Sequence, residues 1–409
     1  MKTRFTMLVA LGLGQFAALH AQNGEPDHWV ATWATAQLLV RPAPAPAAAP
    51  AHGFSNQTVR MMVRASIGGK RLRIKISNAF GSAPVALGAA HIALRSKDSE
   101  IVPASDRALS FNGKPGCTIG PGIVLMSDPV DLTFAPLADL AVSLYFPSET
   151  GPRTSHATAL HNTYTADGDA TAQPAMANAT QTQAYYWLSG IDVMAPAKAA
   201  LIVAYGDSIT DGARSTPETN HSWPALLAAR LAANKKTADI GVANMGIGGN
   251  RVLRDVTGAS ALARFDRDVL SQSGVKWVML LEGINDIGHA ATTPTEPVTA
   301  GDLIGAYKQI IEEAHIHGLK VIGCTLTPYE GASAYRDNME PVREAVNAFI
   351  RTGGAFDAFV DFEAAARDAA DPKKFRAEFD PGDHLHPNDA GYQAMADAID
   401  LSLFGGKKR

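Results

Sequence analysis

From Lys198 onward the chain repeats one unit: a short apolar run, a loop, then a helical segment. The apolar runs are Ala199–Tyr205, Ile240–Met245, Lys276–Leu281, Leu319–Leu326 and Ala358–Phe362. Helices are predicted after most of them. One runs from a Ser222 cap to about Ala233, with Pro224 in its first turn, where a missing N–H costs nothing. Others are predicted over Ser260–Gln272, over Gly301–His317 with Gly318 as its stop, over Met339–Arg351 and over Asn388–Leu403. Strands that are apolar throughout, rather than alternating, are buried on both faces. Five of them alternating with helices predict a parallel sheet covered on both sides. Ligands bind such sheets beyond the carboxyl ends of the strands.

The preceding residues have another rhythm. From Thr58 to about Pro196 the chain is a series of short runs: Thr58–Arg64, Arg71–Ile76, Ala86–Leu94, Ile123–Met126, Val130–Phe134 and Leu140–Phe146. Asn78, Gly81, Pro84, Asn112-Gly113 and Pro121-Gly122 punctuate it, and Gly68-Gly69 reads as a hairpin turn. No helix is predicted there. The pattern is that of an antiparallel β-sandwich. Arg41–Ala51 is a Pro/Ala stretch, extended and semi-rigid. The expected division is 1–21 as a leader, 22–196 as the β-sandwich domain and 197–409 as the α/β domain.

The leader rests on Lys2 and Arg4, the apolar run Phe5–Ala18 and the small Ala21 after Leu19-His20. That run is too short to span a bilayer, and Gln22 and Asn23 follow it. A secretory signal and a soluble, secreted or periplasmic product are expected. Lys plus Arg number 36 against 40 Asp plus Glu, for a formal net charge of -4. A Lys/Arg run occurs only at Lys407, Lys408 and Arg409, so nucleic acid is excluded as an expected partner. Cys117 and Cys324 are too few for a metal cluster or a disulfide framework, and two buried thiols are expected.

The chemistry-bearing residues cluster at the ends of the apolar runs. The first run ends in Tyr205-Gly206-Asp207-Ser208-Ile209-Thr210-Asp211-Gly212. A serine there is either an exposed nucleophile or a helix cap. The Gly-x-Ser-x-Gly elbow is ruled out, because Thr210 occupies the second glycine position. The second run ends in Gly246-Ile247-Gly248-Gly249-Asn250-Arg251, where glycines let backbone N–H groups approach a ligand. A dinucleotide site is disfavoured by Arg251 at the third glycine position. The third ends in Glu282-Gly283-Ile284-Asn285-Asp286. Asn285 reads as a turn residue or, beside a nucleophilic serine, as an oxyanion donor.

After the fifth run comes Asp380-Pro381-Gly382-Asp383-His384-Leu385-His386-Pro387-Asn388. A serine nucleophile needs a base, and the base an orienting carboxylate. Asp383 and His386 are spaced to close on each other, with His384 as the competing histidine. A metal site from Asp383, His384 and His386 lacks further ligands. His28, His52, His91, His156 and His161 in the β half, His315 and His317 at a helix end, and His221 and His289 in loops default to structural roles.

Taken in order, Gly206-Asp207-Ser208, Gly249 in its glycine run, Gly283-Ile284-Asn285-Asp286 and Asp383-His384-Leu385-His386 resemble the four sequence blocks of the GDSL/SGNH hydrolases. The resemblance covers about residues 198–405 and departs from the family name only in Ile209 for leucine. Trp29–Trp33 and Ser77–Gly81 look like the front of secreted bacterial two-domain members. The resemblance implies a flavodoxin-like three-layer domain and a serine ester hydrolase without metal or cofactor. Ser208 is then the nucleophile, His386 the base and Asp383 its orienting acid. The N–H groups of Ser208 and Gly249 and the amide of Asn285 form the oxyanion hole. Asp207 stiffens the serine turn, and Arg251 either contacts substrate or sits on the surface. The expected substrate is a small acyl ester or an acylated polysaccharide, with acetyl removal from carbohydrate first. Lipase, lysophospholipase or arylesterase activity is the alternative, disfavoured for long chains because no apolar lid is visible. A non-catalytic glycan-binding protein ranks last.

Overall fold

The computed structural model describes residues 27–38 and 53–405. The leader, all of Arg41–Ala51 and the basic tail lie outside the described residues.

Besides two short pairs, Ser155–His156 with Tyr185–Tyr186 and Val85–Leu87 with Cys117–Ile119, the described residues of the front half form two large antiparallel sheets. One runs in the order His28–Ala34, Leu188–Ala195, Gly69–Ser77, Val124–Met126, with Val130–Phe134 also on Gly69–Ser77. The other runs Thr180–Thr182, Thr163–Asp167, Gln57–Arg64, Asp139–Phe146, Ala89–Leu94, Arg107–Ala108. Alternate side chains such as Val59, Met61 and Val63 face Leu72, Ile74 and Ile76 in a common core. Gly68-Gly69 is not a hairpin turn, because Gln57–Arg64 and Gly69–Ser77 belong to different sheets. The glycine is there for closeness: a Cβ on Gly68 would lie 2.6 Å from the Phe134 carbonyl oxygen. The predicted run Ala86–Leu94 is two strands broken at Gly88, where Tyr145 leaves no room for a side chain. Among the described residues of this half the helical content is one turn, Pro103–Ser105. Cys324 is buried as expected, but Cys117, on the short strand Cys117–Ile119, is only half-buried; neither is in a disulfide.

The C-terminal half is a five-stranded parallel sheet in the order Ile240–Gly246, Ala200–Gly206, Val275–Leu281, Lys320–Cys324, Ala358–Val360. This 2-1-3-4-5 order is the flavodoxin-like one, with its switch point between the first and third strands in sequence. Helices Trp223–Ala233 and Asp389–Asp397 pack together, as do Ala300–Ile316 and Glu340–Thr352. A capping box between Thr299 and Asp302 starts Ala300–Ile316. Two helices differ from expectation. Ala261–Phe265 widens into a π turn over Asp266–Leu270. The last helix stops at Asp397, and Asp400 takes the Ser402 N–H with its side chain (2.8 Å) to start a separate turn, Leu401–Phe404.

The two halves share one hydrophobic core. Ile240–Gly246 would be an exposed edge, but the front half covers it: Thr35 bridges Asn244 in parallel, and Ser66 Oγ accepts the Val242 N–H at 3.0 Å. No helix among the described residues is long and apolar enough to cross a membrane.

Candidate active site

Strand Ala200–Gly206 delivers the first block. Gly206 is required by crowding, since a Cβ there would lie 2.3 Å from both the Leu281 carbonyl oxygen and Thr210 Oγ1. Asp207 then caps a one-turn helix, Ser208–Asp211, by accepting the Ile209 N–H at 2.9 Å, and Gly212 at φ +107° ends it. Asp207 is therefore the cap, and Ser208 is the first helical residue. Its N–H has no acceptor within the helix. Asn244 Nδ2 ties the turn to the neighbouring strand through the carbonyls of Thr210 (2.9 Å) and Asp211 (3.2 Å).

Ser208 Oγ lies 2.8 Å from His386 Nε2, and His386 Nδ1 lies 2.9 Å from Asp383 Oδ2. Asp383 Oδ1 accepts the N–H groups of Leu385 (3.1 Å) and His386 (3.0 Å), and Arg214 Nε donates to Oδ2 at 2.8 Å. Partial burial opposes the charge on Asp383, but these donors hold its pKa well below the usual carboxylate range. His384 turns away: at φ +57° its backbone is left-handed, and its ring and N–H both bond Asp380. No cluster of three His, Cys, Asp or Glu among the described residues could hold a metal.

The second and third loops meet beside this line. Gly249 is exposed at φ +74°. Asn285 does not end a strand; it lies in the first turn of helix Ile284–Thr292. Its Nδ2 donates to the Asn250 carbonyl at 2.9 Å, which uses one of its two amide hydrogens and leaves the other. Asp286 clamps the glycine loop by accepting the N–H groups of Val252 (2.8 Å) and Leu253 (3.1 Å). Arg251 is not a surface residue. It is buried and paired with Glu296 at 2.9 Å, which His289 also meets at 3.1 Å.

A polar network lies beneath. Arg264, fully buried over the Tyr205 ring, donates to Asn250 Oδ1 (2.9 Å), the Met245 and Gly206 carbonyls (2.7 and 2.8 Å) and Asp268 (3.1 Å). Glu282 lies 3.7 Å from the same guanidinium. Burial first, and Asp286 nearby, push Asp207 up to about 7. Burial and Asp207 raise Glu282 as well.

Ser208, His386, Asp383, Asn285 and the glycine loop are thus gathered at the carboxyl ends of the first three strands. The arrangement can draw a proton from Ser208 Oγ to an imidazole whose far nitrogen faces a carboxylate. Arg214, Asn250 and Arg264 were not singled out by sequence. Asn250 adjoins the glycine run, but a lone arginine in a helix or a loop carries no signal of its partners.

Residues 202–399 match the GDSL-like Lipase/Acylhydrolase family. An acetylxylan esterase from Geobacillus stearothermophilus is 28% identical over 209 residues, covering 47% of this chain and 89% of the relative. Solved structures of two variants of Axe2, an acetylxylan esterase from the same organism, are also similar. One is 24% identical with a TM-score of 0.40, covering 51% of this chain and 95% of that one. The other is 25% identical with a TM-score of 0.39, covering 51% and 97%.

Proposed function

With the C-terminal domain of this chain belonging to the GDSL/SGNH hydrolases, which are carboxylic ester hydrolases, we propose that Ser208, His386 and Asp383 are its catalytic triad and that it removes acetyl groups from a carbohydrate. The observation that carries the triad is the continuous line from Ser208 Oγ through His386 to Asp383, at 2.8 and 2.9 Å.

Ser208 Oγ attacks the ester carbonyl carbon as His386 Nε2 takes its proton. The oxyanion is met by the N–H groups of Ser208 and Gly249 and by the second amide hydrogen of Asn285. The carbonyl re-forms, the bond to the alcohol breaks, and His386 returns the proton to that leaving group. Water then attacks the acyl-serine with the same base, releasing the acid and restoring Ser208. Asp383, held ionised by its donors, stabilises the imidazolium formed in each half. The acetylxylan esterase relative supports acetylated xylan as the first substrate to test. Lys2, Arg4 and the apolar run after them support an exported protein acting outside the cytoplasm.

The test compares acetylated xylan with p-nitrophenyl esters of increasing acyl length, using wild type and Ser208→Ala. Acetate release from xylan with a steep decline beyond short chains, abolished in the variant, is expected. Preference for long acyl chains would replace the carbohydrate reading with a lipase. Turnover surviving in Ser208→Ala would remove the nucleophile assignment.

A further inference from the structure

The serine turn is tied to the front domain through a buried contact. Asp211 closes that turn, and its Oδ1 lies 3.0 Å from Nε2 of His156, on the far side of the domain boundary. His156 Nδ1 lies 2.8 Å from the Ala36 carbonyl oxygen, just after the first strand of the front domain. Both side chains are buried. A neutral imidazole has one N–H, yet both ring nitrogens here face an acceptor. One proton must therefore be shared within the pair. Burial disfavours a cationic His156, but the Asp211 charge and the bonds to Asp211, Ala36 and Thr158 outweigh it and raise its pKa. Among the described residues Asp211 Oδ2 is buried with no hydrogen-bond partner, so the carboxylate leans on His156. A cavity of about 110 Å³ adjoins the pair, lined by Trp33, Tyr185, Ser215, Asn220 and Pro224 from both domains.

We infer that His156 is a positioning residue for the reaction, holding Ser208 in reach of His386 through Asp211, so that the front domain completes the active site. This rests on the proposed role of Ser208. The route is short. The Gly212 and Ala213 N–H groups both bond the Ser208 carbonyl (2.9 Å each), and the Asp211 N–H bonds the Asp207 carbonyl (2.9 Å). A shift of Asp211 toward a new partner therefore turns Ser208 with it. A misplacement of about 1 Å is enough to cost on the order of 10²-fold in rate.

His156→Phe keeps a ring and removes both bonds; Asp211→Asn keeps the shape and removes the charge. Full-length variants are measured for kcat, for KM and for the rate at which a fluorophosphonate labels Ser208. His156→Phe is expected to lower kcat and the labelling rate together by at least ~10-fold with KM nearly unchanged. His156→Gln, which restores one donor, should recover part of that loss. The double variant His156→Phe/Asp211→Asn should be no worse than His156→Phe alone, because the stranded carboxylate is gone. Labelling and kcat in His156→Phe equal to wild type, or losses that multiply in the double variant, would overturn the inference while leaving the triad intact. If His156→Phe fails to fold, Asp211→Ala, which removes the contact from the other side, decides, and a wild-type kcat there overturns it. Wild type that labels nowhere at Ser208 sinks the triad itself.

Discussion

Arg214 and His386 share one oxygen atom: each places a nitrogen within 2.9 Å of Asp383 Oδ2. In the proposed mechanism the guanidinium and the His386 imidazolium therefore draw on the same carboxylate. Arg214→Gln removes the competing charge and leaves Asp383 to the imidazolium alone. Losing that donor raises the pKa of Asp383, so the acid limb of kcat/KM against pH should move to higher pH. Because Arg214 is well exposed, screening keeps the displacement small at physiological salt. An unmoved limb would mean that Arg214 only orders its loop.

The two histidines of the last block should separate cleanly. His386 touches Ser208, whereas His384 is bonded to Asp380 and displays its ring to solvent. His386→Ala should lose turnover about as completely as Ser208→Ala, because members of such a unit act together. His384→Ala should retain most of it. The comparison is made by single-substrate kinetics on a p-nitrophenyl acetate panel, and the reverse ranking would exchange their roles.

The parallel sheet was legible because strands buried on both faces are apolar without interruption. The loops at their ends stood out because each breaks that apolarity with Gly, Asp, Ser or Asn. What was not legible depends on partners distant in sequence. Arg214 meets Asp383 across 169 positions, and Arg251 meets its partner Glu296 across 45. Gly68-Gly69 has the composition of a hairpin, but its meaning is set by the Phe134 carbonyl of another strand. Asn285 follows a strand by only a few residues, and Gly283 at φ +122° lets the helix begin before it. His156 looked like one more core histidine, because its acceptors lie 120 and 55 positions away.

Asp207 should leave a signature in stability. Burial lifts its pKa from 3.8 to about 7. A carboxyl raised in this way contributes its stability fully below its unfolded value, near pH 4, and loses it as pH rises toward 7. Asp207→Asn keeps an oxygen to cap the Ile209 N–H and has no charge to bury. Relative to wild type, the variant should gain stability across pH 4–7 by up to ~1.4 kcal/mol per pH unit and level off above. Urea midpoints measured across that range check it, and parallel pH profiles for the two proteins would place the charge elsewhere.

Asn285 permits the sharpest kinetic prediction. One amide hydrogen is committed to the Asn250 carbonyl at 2.9 Å, and Arg264 fixes Asn250 in turn from below. The amide is therefore held before substrate arrives, and its second hydrogen can meet the oxyanion without reorganisation. Asn285→Ala should lower kcat by ~10²–10³, about 2.7–4 kcal/mol, with KM little changed, because that bond strengthens chiefly in the transition state. Asn285→Asp should be at least as damaging, since a carboxylate repels the developing charge. Arg264→Met, which loosens the support but not the donor, should show a smaller loss of the same kind. Steady-state kinetics on one acetyl ester decide the matter. A rise in KM with kcat preserved in Asn285→Ala would make Asn285 a residue of ground-state binding and move the third oxyanion donor elsewhere.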